Sequence, residues 1–222
     1  MEIENDTILF RKKVFDYIDE STDKLINSDY FENLMKYSVN IFLMGIYNFK
    51  IFLKEYNMFM SILITKSIDM NQMITLIETL YGINCLDNKN RHDLFEKYLT
   101  QFKNCEGYVT DNYYEKNSIT YVINRLCNDY CQLITDKSFY TCVSALITTE
   151  VILNNIFNKF NLYAEKHNKS ENLTYLDIYD YSSILMKILD DGGTSAEIND
   201  GITEIVKIFN TMFSELFIIF AN

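Results

Sequence analysis

Proline and tryptophan are absent from the 222 residues, glycine occurs six times, and histidine occurs only at His92 and His167. The missing Pro and Trp, beside 17 Tyr, 16 Phe and abundant Asn, Lys and Ile, mark an AT-rich coding sequence, a property of a genome rather than of a function. The shortage of histidine excludes more. A nucleophilic triad needs a base that can hydrogen-bond its nucleophile. His92 follows Arg91 in a polar stretch and His167 lies in Glu165-Lys166-His167-Asn168-Lys169, so both are expected at the surface in water.

Positive charge is also scarce. Twenty basic residues stand against 31 acidic ones, for a formal net charge of -11, and the longest basic run is Arg11-Lys12-Lys13. A nucleic-acid interface needs a positive face to displace counterions, so this domain alone is not expected to bind nucleic acid. No uncharged apolar stretch of about 18 residues occurs. Lys50, Lys54, Glu55 and Lys66 interrupt the most hydrophobic region, so no membrane span is expected. The five cysteines (Cys85, Cys105, Cys127, Cys131 and Cys142) form no Cys-x-x-Cys pair. Cys127 and Cys131 are one helical turn apart but lack further ligands for tetrahedral coordination. Reduced thiols packed in a core, and hence an intracellular reducing compartment, are the expectation. No glycine-rich phosphate loop is present, because Gly192-Gly193 stands alone. The first residues lack the features of a signal or transit peptide. They fit either a natural start or the cut edge of a processed protein.

Hydrophobic residues make up 48% of the chain. They recur at helical spacing almost throughout, and no hairpin dipeptide separates alternating segments. The expected fold class is all-α: one domain over residues 1–222, with about eight helices near 6–26, 30–66, 70–82, 92–103, 118–134, 138–167, 174–190 and 195–221. Polar, turn-rich residues at 85–91 and 104–117 read as loops. Thr194-x-x-Glu197 has capping-box spacing for the last helix, after a left-handed stop at Gly192-Gly193. Ile41-Phe42-Leu43-Met44-Gly45-Ile46-Tyr47-Asn48-Phe49 is apolar nearly all round and marks the centre of the bundle, where Gly45 implies close packing or a bend.

A di-iron site in such a bundle needs inward glutamates with Glu-x-x-His pairs, and no such pair occurs. No metal ligands are therefore assigned. Glu78, Glu150 and Glu215 lie in otherwise apolar helical segments, and for Glu150 and Glu215 a buried, hydrogen-bonded carboxylate is the plain expectation. Tyr47, Tyr81, Tyr121 and Tyr181 could line an aromatic ligand pocket, or form core or partner surface. An interaction module would instead reveal itself by an exposed apolar patch of several hundred Å².

Three segments resemble heme oxygenases. Leu43-Met44-Gly45-Ile46-Tyr47-Asn48-Phe49-Lys50-Ile51-Phe52-Leu53-Lys54-Glu55 is similar to their Leu-Tyr-His-Ile-Tyr and Leu-Glu-Glu segment. Ile77-Glu78-Thr79-Leu80-Tyr81-Gly82 is similar to their Trp-Tyr-Gly turn, and Tyr121-Val122-Ile123-Asn124-Arg125-Leu126 to their Tyr-Val-x-Arg-Leu helix. The resemblance implies a heme oxygenase-like helical bundle with a degenerate heme site. Lys13, Val14 and Phe15 surround the expected position of the proximal His and offer no usual iron ligand. Thr148, Thr149 and Glu150 fall where the glycine-rich distal helix would let heme approach the backbone.

The resemblance thus implies a pseudoenzyme with no catalytic residue, no cofactor and no bound heme, acting as a binding or scaffold protein with other proteins as partners. The loss of the His in an AT-rich sequence is similar to the inactive plastid (apicoplast) branch of this superfamily in malaria-type parasites. That likeness implies an organellar place in plastid biogenesis or gene expression. The TenA-type thiamin-salvage hydrolases share the fold, and Ser214-Glu215-Leu216-Phe217-Ile218-Ile219-Phe220 looks like their ending. A TenA-type or related small-heterocycle enzyme, with Glu215 as acid or base, is the alternative. The family's nucleophilic Cys falls near Thr149, and its Gln-Asp-Tyr motif is replaced by Met44-Gly45-Ile46.

Overall fold

A computed structural model describes residues 2–34, 39–82, 89–103, 105, 120–167 and 181–221. Among these residues there are nine α-helices and no strand: α1 (Glu2–Ile26), α2 (Asp29–Leu34), α3 (Val39–Thr65), α4 (Met70–Gly82), α5 (Lys89–Phe102), α6 (Thr120–Asp136), α7 (Phe139–Lys166), α8 (Tyr181–Gly192) and α9 (Ser195–Ala221). The all-α expectation holds, with two corrections. Of the helix expected over 30–66, the described parts are α2 and α3, and residues 35–38 between them lie outside the described residues. The loop expected at 85–91 is helical from Lys89 on, which places Arg91 in the first turn of α5. Neither Gly192 nor Gly193 takes a left-handed backbone. The end of α8 is instead closed by the Gly193 N–H, which donates to the Leu189 carbonyl at 2.8 Å. The expected helix over 174–180 and most of the loop over 104–117 lie outside the described residues.

Helix α7 runs through the middle of the bundle, and every residue from Thr141 to Glu150 is buried. By length and apolarity it could cross a membrane, but 78% of its apolar stretch is covered by the other helices. A helix apolar all round needs neighbours on every side. Here α1, α3, α8 and α9 surround it. The contact with α9 is close because Gly201 lacks a side chain. A Cβ there would lie 2.0 Å from Ser144 Oγ and 2.2 Å from the Thr141 carbonyl oxygen. The Ser144 hydroxyl crosses this gap, 3.1 Å from the Ile198 carbonyl.

The helix starts reinforce this packing. Ser138 caps α7, its Oγ accepting from the Thr141 N–H at 3.3 Å. The expected capping box on α9 is formed: Thr194 N–H donates to Glu197 Oε2 at 3.1 Å, and Glu197 N–H donates back to Thr194 Oγ1 at 3.3 Å. Ser138 also donates to Glu197 Oε1 at 2.7 Å, so one carboxylate joins the starts of both central helices. These bonds hold the Glu197 carboxyl below the usual range, with the Ser138 bond the largest cause. Lys66, just past α3, donates to the carbonyls of Thr135 and Lys137 and so satisfies the end of α6.

Around α3 the core is an aromatic lattice. Phe42 stacks on Tyr163 at 4.4 Å, and Phe49 meets Phe160 edge-on at 5.8 Å. Gly45 belongs to this packing, as its position in the apolar run implied. A Cβ there would stand 3.0 Å from Tyr30 Oη and 3.3 Å from Phe160. Beside it, Asn48 is fully buried and its side-chain amide finds no hydrogen-bond partner among the described residues.

Candidate functional site

Two places bear on function: a closed polar cluster inside the bundle and an apolar face outside it. The cluster gathers on Glu150 of α7. Arg91, with no exposed surface, reaches in from α5 and donates from Nη2 to Glu150 Oε2 at 2.8 Å and to Asn154 Oδ1 at 3.1 Å. Tyr56 of α3 donates to the other carboxylate oxygen at 2.8 Å. The guanidinium also lies over the Phe157 ring, 5.5 Å from its centroid. The plain expectation for Glu150, a buried and hydrogen-bonded carboxylate, therefore holds. The sequence did not reveal its partner, because Arg91 sits among polar residues and lacks any apolar context.

Neighbouring hydroxyls are equally committed. Thr149 bonds the Ala145 carbonyl at 2.8 Å and the Tyr130 hydroxyl at 3.0 Å, and Thr148 bonds the Ser144 carbonyl at 2.8 Å. Burial pushes the Tyr56 and Tyr130 hydroxyls well above the ordinary phenol range, and the Glu150 charge adds to the shift at Tyr56. Both remain proton donors near neutral pH rather than bases. Perturbed groups can mark an active site, but catalysis also needs an approach for substrate. Glu150, Thr148, Thr149 and Arg91 are all buried.

The other positions singled out by sequence lie apart from this cluster. Val14 is buried and Phe15 half-buried on α1, both packed on the core. Because α1 packs against α7, the two sets of positions that the resemblance singles out lie on adjoining helices. The hydrocarbon side chains of Val14 and Phe15 cannot ligate iron, and Thr148 and Thr149 are fully buried, so these residues would not fit a heme there. Glu215 is half-buried and paired with Arg125 of α6, not enclosed as expected. His92 and His167 are exposed, as expected.

The four tyrosines do not line one pocket. Tyr47 is buried, Tyr81 and Tyr121 are exposed on different helices, and the Tyr181 side chain lies outside the described residues. The described thiols, Cys105, Cys127, Cys131 and Cys142, are free. Burial pushes Cys142 up to about 11 and Cys127 up to about 12, which leaves both protonated at neutral pH.

The second place is α4, which carries apolar residues outward as well as inward. Its buried positions are Gln72, Leu76, Thr79 and Gly82. The polar ones are satisfied locally. Gln72 N–H donates to Asp69 Oδ1 at 2.9 Å, the Ile68 N–H donates to Gln72 Oε1 at 3.0 Å, and Thr79 Oγ1 donates to the Thr75 carbonyl at 2.7 Å. Leu76 and the half-buried Leu80 pack on the core, but a second set of large apolar residues faces water: Met70 is 65% exposed, Ile74 46%, Ile77 48% and Tyr81 69%, with Ile68 at 68% just before the helix. Spacings of four, three and four residues put Met70, Ile74, Ile77 and Tyr81 on one stripe of the helix. Single exposed apolar residues are ordinary. A contiguous stripe of several hundred Å² is the mark of a contact surface.

Beside the stripe, a groove of ≈ 400 Å³ separates α4 from α8, with Asp69, Glu78, Ile184, Lys187 and Asp191 among its lining residues. No protein-family model, no curated protein and no solved structure matches the chain.

Proposed function

We propose that the protein is a helical binding or scaffold module that acts through the outer face of α4 and has no catalytic interior. The observation that carries this reading is the outward apolar stripe of α4, which leaves Met70, Ile74, Ile77 and Tyr81 in water although Leu76 already anchors the helix to the core. Exposing this much apolar surface disfavours the isolated fold, by roughly 25 cal/mol for each Å² left in water. A partner that covers the stripe recovers that energy.

The heme oxygenase-like resemblance, a pseudoenzyme whose heme-site positions have turned into core, belongs to the same proposal, as does the plastid role it implies. The reading is supported by the Arg91, Glu150 and Tyr56 cluster, which fills the distal stretch with a satisfied ion pair.

Site-specific photo-crosslinking tests the proposal. A photoreactive residue at Ile77, introduced into the chain in the cells that make it, should give discrete protein adducts. The same residue at Thr203, on the exposed side of α9, should give none. Absence of adducts at 77, or equal adducts at both positions, would overturn it. The pseudoenzyme part is tested by supplying hemin, a reductase and oxygen, where no biliverdin is expected and stoichiometric conversion would refute it.

A further inference from the structure

The geometry of α4 points to one kind of partner: we infer that its outer face docks a basic amphipathic helix of another protein. The inference rests on α4 being the binding face and adds the chemistry of what binds.

Shape comes first. Met70, Ile74, Ile77 and Tyr81 span twelve residues, about 16 Å of helix from first to last at about 1.5 Å per step. A straight apolar stripe of that length beside a groove matches a helix whose own anchors repeat at i, i+3 or i+4, and i+7. Met70 at one end can adapt to the incoming surface, and Tyr81 at the other offers a flat apolar face with a polar tip.

Charge selects among apolar helices. Helix α4 contains no Lys or Arg. Asp69 precedes it, exposed Glu78 flanks the stripe, and Asp191 lies across the groove, with Lys187 opposing them. Three carboxylates against one ammonium give this rim a negative field, and the whole chain carries -11. Lys and Arg on the flanks of the incoming helix would meet that rim and speed the encounter.

The same facts disfavour the other occupants. An interface between two copies would bring two chains of charge -11, and two acidic rims, together. An anionic lipid surface would meet the acidic rim with like charge.

The test is a display library of helical peptides with fixed leucine anchors and flanking positions randomised among Lys, Gln and Glu, selected on the full chain. Lys should be enriched over Glu at the flanks. The best peptide should lose about tenfold or more in affinity on Ile74→Glu/Ile77→Glu and about three- to tenfold on Glu78→Lys. Enrichment of Gln or Glu would overturn the basic partner while leaving α4 as a docking face. Equal selection on the wild type and the Ile74→Glu/Ile77→Glu chain would overturn both. An α4-dependent dimer in sedimentation would make a second copy the occupant, and α4-dependent binding to phosphatidylcholine vesicles would make it lipid. Either result overturns the inference.

Discussion

Arg91→Met is the sharpest probe of whether the interior is closed. The wild-type guanidinium is fully buried and bonds Glu150 at 2.8 Å and Asn154 at 3.1 Å, while Tyr56 holds the second carboxylate oxygen. Methionine fills much of the same volume and keeps contact with Phe157, so the substitution mainly removes the charge. It leaves the Glu150 carboxylate buried with no countercharge among these partners. Breaking a buried pair from one side costs about 3–5 kcal/mol. The Tyr56 bond remains and puts the expected loss near the lower end, about 3 kcal/mol. With a urea slope of about 2–3 kcal/mol/M for a chain of this size, the unfolding midpoint should fall by about 1–1.5 M.

Adding Glu150→Gln removes the stranded charge, so the double variant should recover part of the loss, with a coupling of about 2 kcal/mol. Circular dichroism in urea reads the four midpoints of the wild type, Arg91→Met, Glu150→Gln and the double variant. If Arg91→Met costs less than about 1 kcal/mol, water reaches Glu150. The interior would then be an open polar pocket, and the case against catalysis there would fail.

Three further outcomes follow from the packing. Gly201→Ala puts a methyl into the Thr141 carbonyl of the facing helix and should destabilise by about 1–3 kcal/mol in thermal or urea unfolding, despite a gain of about 1 kcal/mol in helix propensity; a neutral result would refute the contact. Asn48→Leu replaces a buried amide that has no partner among the described residues with an apolar side chain of the same branched shape and somewhat larger volume, and should stabilise by about 1 kcal/mol; a loss in Asn48→Leu and in the smaller Asn48→Val alike would show that the amide is bonded. The Glu197 carboxyl is held below its unfolded value, so its contribution is present above the unfolded pKa of about 4.3 and is lost as pH falls from there through the lower folded value. Glu197→Gln should therefore flatten the acid side of the stability profile below that unfolded value, and an unchanged profile would contradict the cap bridge.

Much of the architecture was legible because helix length and period are written locally. The bounds of α4 and α9 follow from apolar spacing and, for α9, from the Thr194 start. Gly45 told of close packing because glycine in an apolar helix has few other uses. Two features were not legible, for physical reasons. The period of α4 shows that it has an apolar stripe, but the side that faces the bundle depends on the neighbours, and here Gln72 and Thr79 were taken inward. Arg91 reads as surface because arginine is seldom buried. Its burial depends on Glu150, 59 positions away in sequence, and on Tyr56. How Thr149 and Glu150 are satisfied was likewise not legible, because it depends on Tyr130 and Arg91 on other helices.

The most direct test of the central claim is the folding stability of Ile74→Gln/Ile77→Gln. If the α4 stripe faces water for the sake of a partner, the isolated chain should lose no more than about 0.5 kcal/mol per site in urea unfolding, as surface positions do. A loss of about 3 kcal/mol or more would show that these isoleucines belong to the folding core, and the docking face would not exist.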